Sequence, residues 1–89
     1  MDMVKKAKDI VRQYVIKGAL YNAEEYSDIN VFVVWQCKTL QNWKFMLITD
    51  LPDNIYYELT YNGDEEEFYL DVYDKKDNVV IKNRDLKNK

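Results

Sequence analysis

The chain has no histidine anywhere in its 89 residues, one cysteine (Cys37), one proline (Pro52) and two glycines (Gly18 and Gly63). Without histidine it lacks the commonest general base, the commonest zinc ligand and the usual partner of a serine or cysteine nucleophile, so most hydrolase constellations are excluded. A lone cysteine forms no intramolecular disulfide and assembles no structural zinc site, and so small a chain without staples suits a reducing compartment. The two glycines stand 45 positions apart in no spaced motif, which disfavours a phosphate-cradling loop. No run approaches the roughly 18 apolar residues of a membrane span, and the start Met1-Asp2-Met3-Val4-Lys5-Lys6 has no signal-peptide core. The expectation is a cytoplasmic protein, neither exported nor inserted.

What is present is apolar and aromatic: 47% hydrophobic residues and thirteen aromatics, eight of them tyrosine. These provide the burial that offsets chain entropy, and the length admits one core, hence a single domain over residues 1–89. The net charge of −3 is unevenly spread, with +3 over residues 1–17, −8 over 50–77 and +3 over 82–89. The acidic stretch would repel nucleic-acid backbones and attract basic partners at short range.

Val4, Ala7, Val11, Tyr14, Val15 and Gly18 recur at helical spacing, opposite Lys5, Lys6, Asp9, Gln13 and Lys17, and predict an amphipathic helix over about residues 3–18. Asp2 is placed as its N-cap, Lys5 and Asp9 one turn apart as a pair, and Gly18 at its end. Residues 19–29 read equally as a short second helix or a wrapping loop. Beyond Asp28 the period becomes two, and strands are expected at about Val31–Leu40, Trp43–Thr49, Ile55–Tyr61, Glu66–Tyr73 and Val79–Lys82, followed by a polar tail over 83–89. Asn62-Gly63 predicts a type I′ hairpin turn, in which both central residues take positive φ. The fold class is α+β: an N-terminal amphipathic helix packed on one face of a four- to five-stranded antiparallel meander.

Alternation divides the strands into two sets. Val31, Val33, Trp35, Cys37, Trp43, Phe45, Leu47, Ile55, Tyr57, Leu59, Tyr61, Phe68, Leu70, Val72, Val79 and Ile81 are assigned to the helix side, with Cys37 read as a small core residue. The other set, Phe32, Val34, Gln36, Lys38, Lys44, Met46, Ile48, Tyr56, Glu58, Thr60, Glu67, Tyr69, Asp71 and Tyr73, is too apolar for a plain solvent face. A helix about 10 Å across cannot roof four strands spaced about 4.8 Å apart, so apolar surface is left over; it is either a binding face or a wet, tyrosine-rich surface.

The acidic run Asp64-Glu65-Glu66-Glu67 lacks the spacing of a calcium loop and reads as a solvated hairpin tip, while Glu58 and Asp71 could meet across adjacent strands, bridged to Lys44 or Lys38. No cofactor or metal is implied. The basic helix face of Lys5, Lys6, Lys8, Arg12 and Lys17 reads as a solvated face, and direct nucleic-acid binding is disfavoured because the sheet aromatics lack basic companions.

The segments Val34-Trp35-Gln36-Cys37-Lys38-Thr39-Leu40-Gln41-Asn42-Trp43-Lys44 and Tyr56-Tyr57-Glu58-Leu59-Thr60-Tyr61-Asn62-Gly63-Asp64, followed by Tyr69-Leu70-Asp71-Val72-Tyr73, resemble a family of small uncharacterised proteins encoded by phages and prophages of Gram-positive bacteria. The resemblance spans about residues 30–82 and carries over no catalytic residue. It implies a non-enzymatic accessory protein that binds a host or phage protein, as a takeover factor or counter-defence inhibitor. The binding residues expected from the sequence are Phe32, Met46, Tyr56, Tyr69 and Tyr73 as anchors, with Glu58, Asp71 and the tip Glu65, Glu66 and Glu67 as the polar part; a homodimer is also open. The rival reading is an acidic nucleic-acid mimic built from Glu58, Asp64–Glu67, Asp71, Asp74 and Asp77.

Overall fold

The computed structural model describes residues 2–18 and 29–86. One helix, α1 (Met3–Gly18), precedes four strands: β1 (Val31–Thr39), β2 (Asn42–Thr49), β3 (Ile55–Asn62) and β4 (Glu67–Asp74). The strands form an open antiparallel sheet in the order β1-β2-β3-β4. This is the expected α+β meander. The expectation for residues 19–28 lies outside the described residues.

The helix starts where the sequence places it. The Asp2 carboxylate accepts from the Lys5 amide at 3.2 Å, and the Asp2 carbonyl accepts the first helical bond from Lys6. On the far side Lys5 and Asp9 pair at 3.5 Å. The buried stripe is Ala7, Val11 and Val15, spaced by four, with Met3, Val4 and Ile10 packed at its flanks. Arg12 joins helix to sheet: its guanidinium donates to the Ile29 carbonyl just before β1 and pairs with Asp9 at 3.2 Å.

Beneath the helix the core consists of Ile29, Val31, Phe45, Leu47, Tyr57 and Leu59. The β2–β3 connection is tied down by polar side chains. Asp50 exchanges three hydrogen bonds with Asn30, Asp53 accepts from the Ile55 amide, and Asn54 takes φ 50°. Tyr14, at the outer margin of the helix, meets Tyr57 edge to face at 6.1 Å. The helix reaches no farther, and Phe68 and Leu70 on β4 stay only half-buried.

Four expectations are corrected. First, a β-bulge between Val33 and Trp35 shifts the register of β1, so Val33 opposes Leu47 but Trp35 opposes Met46, Gln36 opposes Phe45 and Cys37 opposes Lys44. Because neighbours across a ladder share a face, one extra residue moves Trp35 and Cys37 to the face away from the helix and brings Gln36 and Lys38 to the helix side. Lys38 lies there over the Trp43 ring, 5.7 Å from its centre, and Cys37 is an exposed free thiol, not a core residue.

Second, Val79–Lys82 forms no strand; Val79, Val80 and Ile81 are 65%, 80% and 64% exposed. Third, the segment from Asn83 is not wholly irregular, since Asn83–Leu86 makes one turn of 3-10 helix. Fourth, the β3–β4 connection is a four-residue loop, with Asn62 opposite Glu67. Neither Asn62 nor Gly63 has positive φ; Glu66 takes it instead, at 55°. The Asn62 side chain accepts from the amides of Asp64 and Glu65, which stabilises the wider loop over the two-residue I′ turn.

Candidate functional site: the outer face of the sheet

The face opposite α1 is built in ranks that run across all four strands. Phe32, Ile48, Tyr56 and Tyr73 stand side by side in the first rank; Trp35, Met46, Glu58 and Asp71 form the second; Cys37, Lys44, Thr60 and Tyr69 form the third. The first rank is wholly apolar or aromatic. Tyr56 and Tyr73 stack at 4.9 Å with their planes 16° apart, while Phe32 is 47% exposed and Trp35, at the margin of the next rank, 51%. No described element covers this surface.

Polar groups in the second and third ranks satisfy one another. The Lys44 ammonium lies 2.9 Å from one Glu58 oxygen, and the Tyr73 hydroxyl donates to the other at 3.0 Å. Those two hydrogen bonds hold the Glu58 carboxyl below the usual glutamate range, and the same contact pushes the Tyr73 phenol above the usual tyrosine range. Glu58 does oppose Asp71, but the bridge to Lys44 removes the repulsion that two carboxylates would otherwise feel. Tyr69 donates to Glu67 and its phenol is likewise raised. On the other side of the sheet, burial, ahead of Asp53 and Tyr14, raises Tyr57. Each shift follows from a local packing or hydrogen-bond partner, and none places a charged group against a cleft.

Of the residues singled out from the sequence, Phe32, Met46, Tyr56, Glu58, Asp71 and Tyr73 come together in the first two ranks. Tyr69 stands one rank beyond, beside Glu67. Glu65 and Glu66 sit in the exposed loop, where Asp64 is held by the Gln41 side chain. Tyr73 lies six positions along β4 from Glu67, roughly 20 Å of strand, so the aromatic cluster and the acidic tip occupy opposite ends of the face. Two members were missed: Trp35, hidden by the bulge, and Ile48, whose alternation already placed it on this face. The signal for Trp35 was the unbroken apolar run Val31-Phe32-Val33-Val34-Trp35, which no strict alternation accommodates.

The model of a family of unknown function, DUF6275, matches residues 4–83, from the first turn of α1 to the turn after β4. The chain belongs to this family. Helix, sheet and the unpaired segment after β4 are therefore all within the span that defines DUF6275, and the outer face is part of a recurring unit. No curated protein matches the chain, and no solved structure does. No α-helix among the described residues is long and apolar enough to cross a membrane.

Proposed function

We propose that this DUF6275 chain is a non-enzymatic protein that acts by binding another protein through the outer face of its sheet. The observation that carries the reading is the contiguous patch formed by Phe32, Trp35, Met46, Ile48, Tyr56 and Tyr73, in which ranked aromatic and apolar side chains lie open beside a self-satisfied polar network. Interfaces concentrate their binding energy in such groups: aromatics and Met at the centre, ringed by polar residues that need no new partner. The pairing of Glu58 with Lys44 and Tyr73 also keeps the rim from presenting an uncompensated charge.

Catalysis is disfavoured by the chemistry of the same face, where the carboxylate nearest the centre is neutralised by an ammonium and lowered, not raised, in pKa. The resemblance to phage and prophage proteins extends the proposal to a cytoplasmic role in a bacterial host, the partner being a host or phage protein that is taken over or inhibited. The nucleic-acid mimic is weakened, because Glu58, central to its charge array, already has a cation.

The double variant Trp35→Ser/Tyr73→Ser tests the proposal. Its far-UV circular dichroism should match the parent chain, while the dissociation constant for a partner recovered by affinity capture and then purified should rise at least tenfold. Charge reversal at Glu65, Glu66 and Glu67 should leave that constant within about threefold. Unchanged binding by the double variant would remove the outer face from consideration; a loss confined to the charge-reversed chain would transfer the role to the acidic tip.

A further inference from the structure

The segment that follows β4 is apolar, β-prone and without a place in the fold. Val79, Val80 and Ile81 are three consecutive β-branched residues, all at least 64% exposed, and among the described residues no backbone hydrogen bond ties residues 76–82 to the sheet. β4 itself is an edge strand with β3 as its only hydrogen-bonded neighbour among the described residues. Beside it, on the helix side, a groove of about 600 Å³ runs between α1 and β4, with an apolar floor of Ile10, Tyr14, Phe68 and Leu70 and a polar rim of Lys6, Asp9, Gln13 and Lys17 on the helix.

We infer that the arm around Val79–Ile81 of one chain pairs with the β4 edge of a second copy, and that two copies exchange arms symmetrically. Two observations identify the occupant. The arm and the edge are complementary in charge: Lys75, Lys76, Lys82 and Arg84 against Asp77 and Asp85 leave the arm at +2, whereas Glu67, Asp71 and Asp74 give β4 −3. The path of the chain points away from its own β4 edge. β4 follows β3 to its last residue, Asp74 opposite Ile55, the Lys75 amide extends the ladder by one pair to the Asn54 carbonyl at 2.7 Å, and Lys75, Lys76, Asp77 and Asn78 then line one shallow hollow with Asn54, at the start of β3.

An extended arm would direct Val79 and Ile81 to one side, over Phe68 and Leu70 in the groove, and Val80 to the other. β4 carries no bulge, proline or lysine that would block pairing at its free edge. This surface is separate from the outer face.

Light scattering on the full chain at tens of micromolar should give twice 10.8 kDa. Val80→Asp and Ile81→Asp, each at an exposed position, should halve the mass without altering the circular dichroism spectrum, and the dimer dissociation constant should rise at least tenfold. In a Cys37→Ser background, oxidation of Leu70→Cys/Val79→Cys or of Leu70→Cys/Ile81→Cys, pairs that share the groove side, should yield a cross-linked dimer on a non-reducing gel. A monomeric parent chain, an intramolecular cross-link, or no cross-link would each overturn the exchange. So would a dimer that survives Val80→Asp and dissolves on Trp35→Ser/Tyr73→Ser, which would make the outer face the self-association surface.

Discussion

Substituting Gly63 separates two reasons for a glycine at a hairpin. If the residue were there to supply positive φ, asparagine, which tolerates the left-handed region, would replace it at little cost. In the structure Gly63 has no positive φ. A Cβ at this position would instead fall 2.2 Å from the Gln41 carbonyl oxygen, with the Gln41 Cγ and Cβ at 2.6 and 2.7 Å. The two hairpin loops thus touch, and the Gly63 amide donates to the Asn42 side chain at 2.9 Å across the same contact. Because the nearest obstacle is backbone, it cannot rotate away, and the loops must separate. Gly63→Ala should therefore cost about 1–3 kcal/mol, the usual range for overpacking. For a domain of this size that corresponds to a fall in Tm of roughly 4–20 °C. Gly63→Asn should cost at least as much. Adding Gln41→Gly should recover only part of the loss, since the carbonyl oxygen remains. Thermal denaturation followed by circular dichroism measures all three, and a Gly63→Asn variant as stable as the parent would refute the close-approach reasoning.

Leu40 is the converse case: it carries φ 58° in the two-residue loop between β1 and β2, and its side chain is 77% exposed. Relief of about 1–3 kcal/mol of backbone strain outweighs the added unfolded-state entropy of glycine, about 0.5–1 kcal/mol, so Leu40→Gly should raise the midpoint of urea unfolding; a lower midpoint would contradict this. Acid unfolding should report on Glu58. Its folded pKa is depressed by Lys44 and Tyr73, so the stability it contributes is complete above the ordinary glutamate value, about 4.3, and is lost as pH falls through the lower folded value. Glu58→Gln should flatten the stability profile in that acid window alone, a change visible in midpoints collected between about pH 2 and 5.

Most of the fold was legible because its signals are local. The helix announces itself through Asp2, the four-residue spacing of Ala7, Val11 and Val15, and the pairing of Lys5 with Asp9. β2, β3 and β4 alternate cleanly, and Trp43 opposite Tyr61 and Tyr61 opposite Phe68 bear out the faces assigned to them. The errors fall where a local pattern is overruled by something non-local. Asn62-Gly63 suits a tight turn, yet the Asn62 side chain prefers to satisfy two loop amides, and Gly63 answers to a neighbouring hairpin. Val79–Ile81 suits a strand, but a strand needs an edge to pair with, and among the described residues this segment stays exposed and makes no backbone hydrogen bond to the sheet.

The outer face was legible in kind but not in membership, for a reason of parity. In an antiparallel pair a two-residue loop makes odd positions oppose even ones, so Cys37 and Trp35 cannot share a face with Trp43 and Phe45 while Thr39 opposes Asn42. The core nonetheless requires Val31 and Val33 beside Leu47, which are all odd. Both demands are met only if one residue of β1 is left unopposed, and Val34, inside the run of five apolar residues, is that residue. The bulge therefore reconciles a buried half-strand near the helix with a turn of fixed length at the other end. Its consequence is functional as well as structural: it moves the large Trp35 ring out of reach of the helix and sets it beside Phe32 and Met46, on the face where it enlarges the patch proposed to bind a partner.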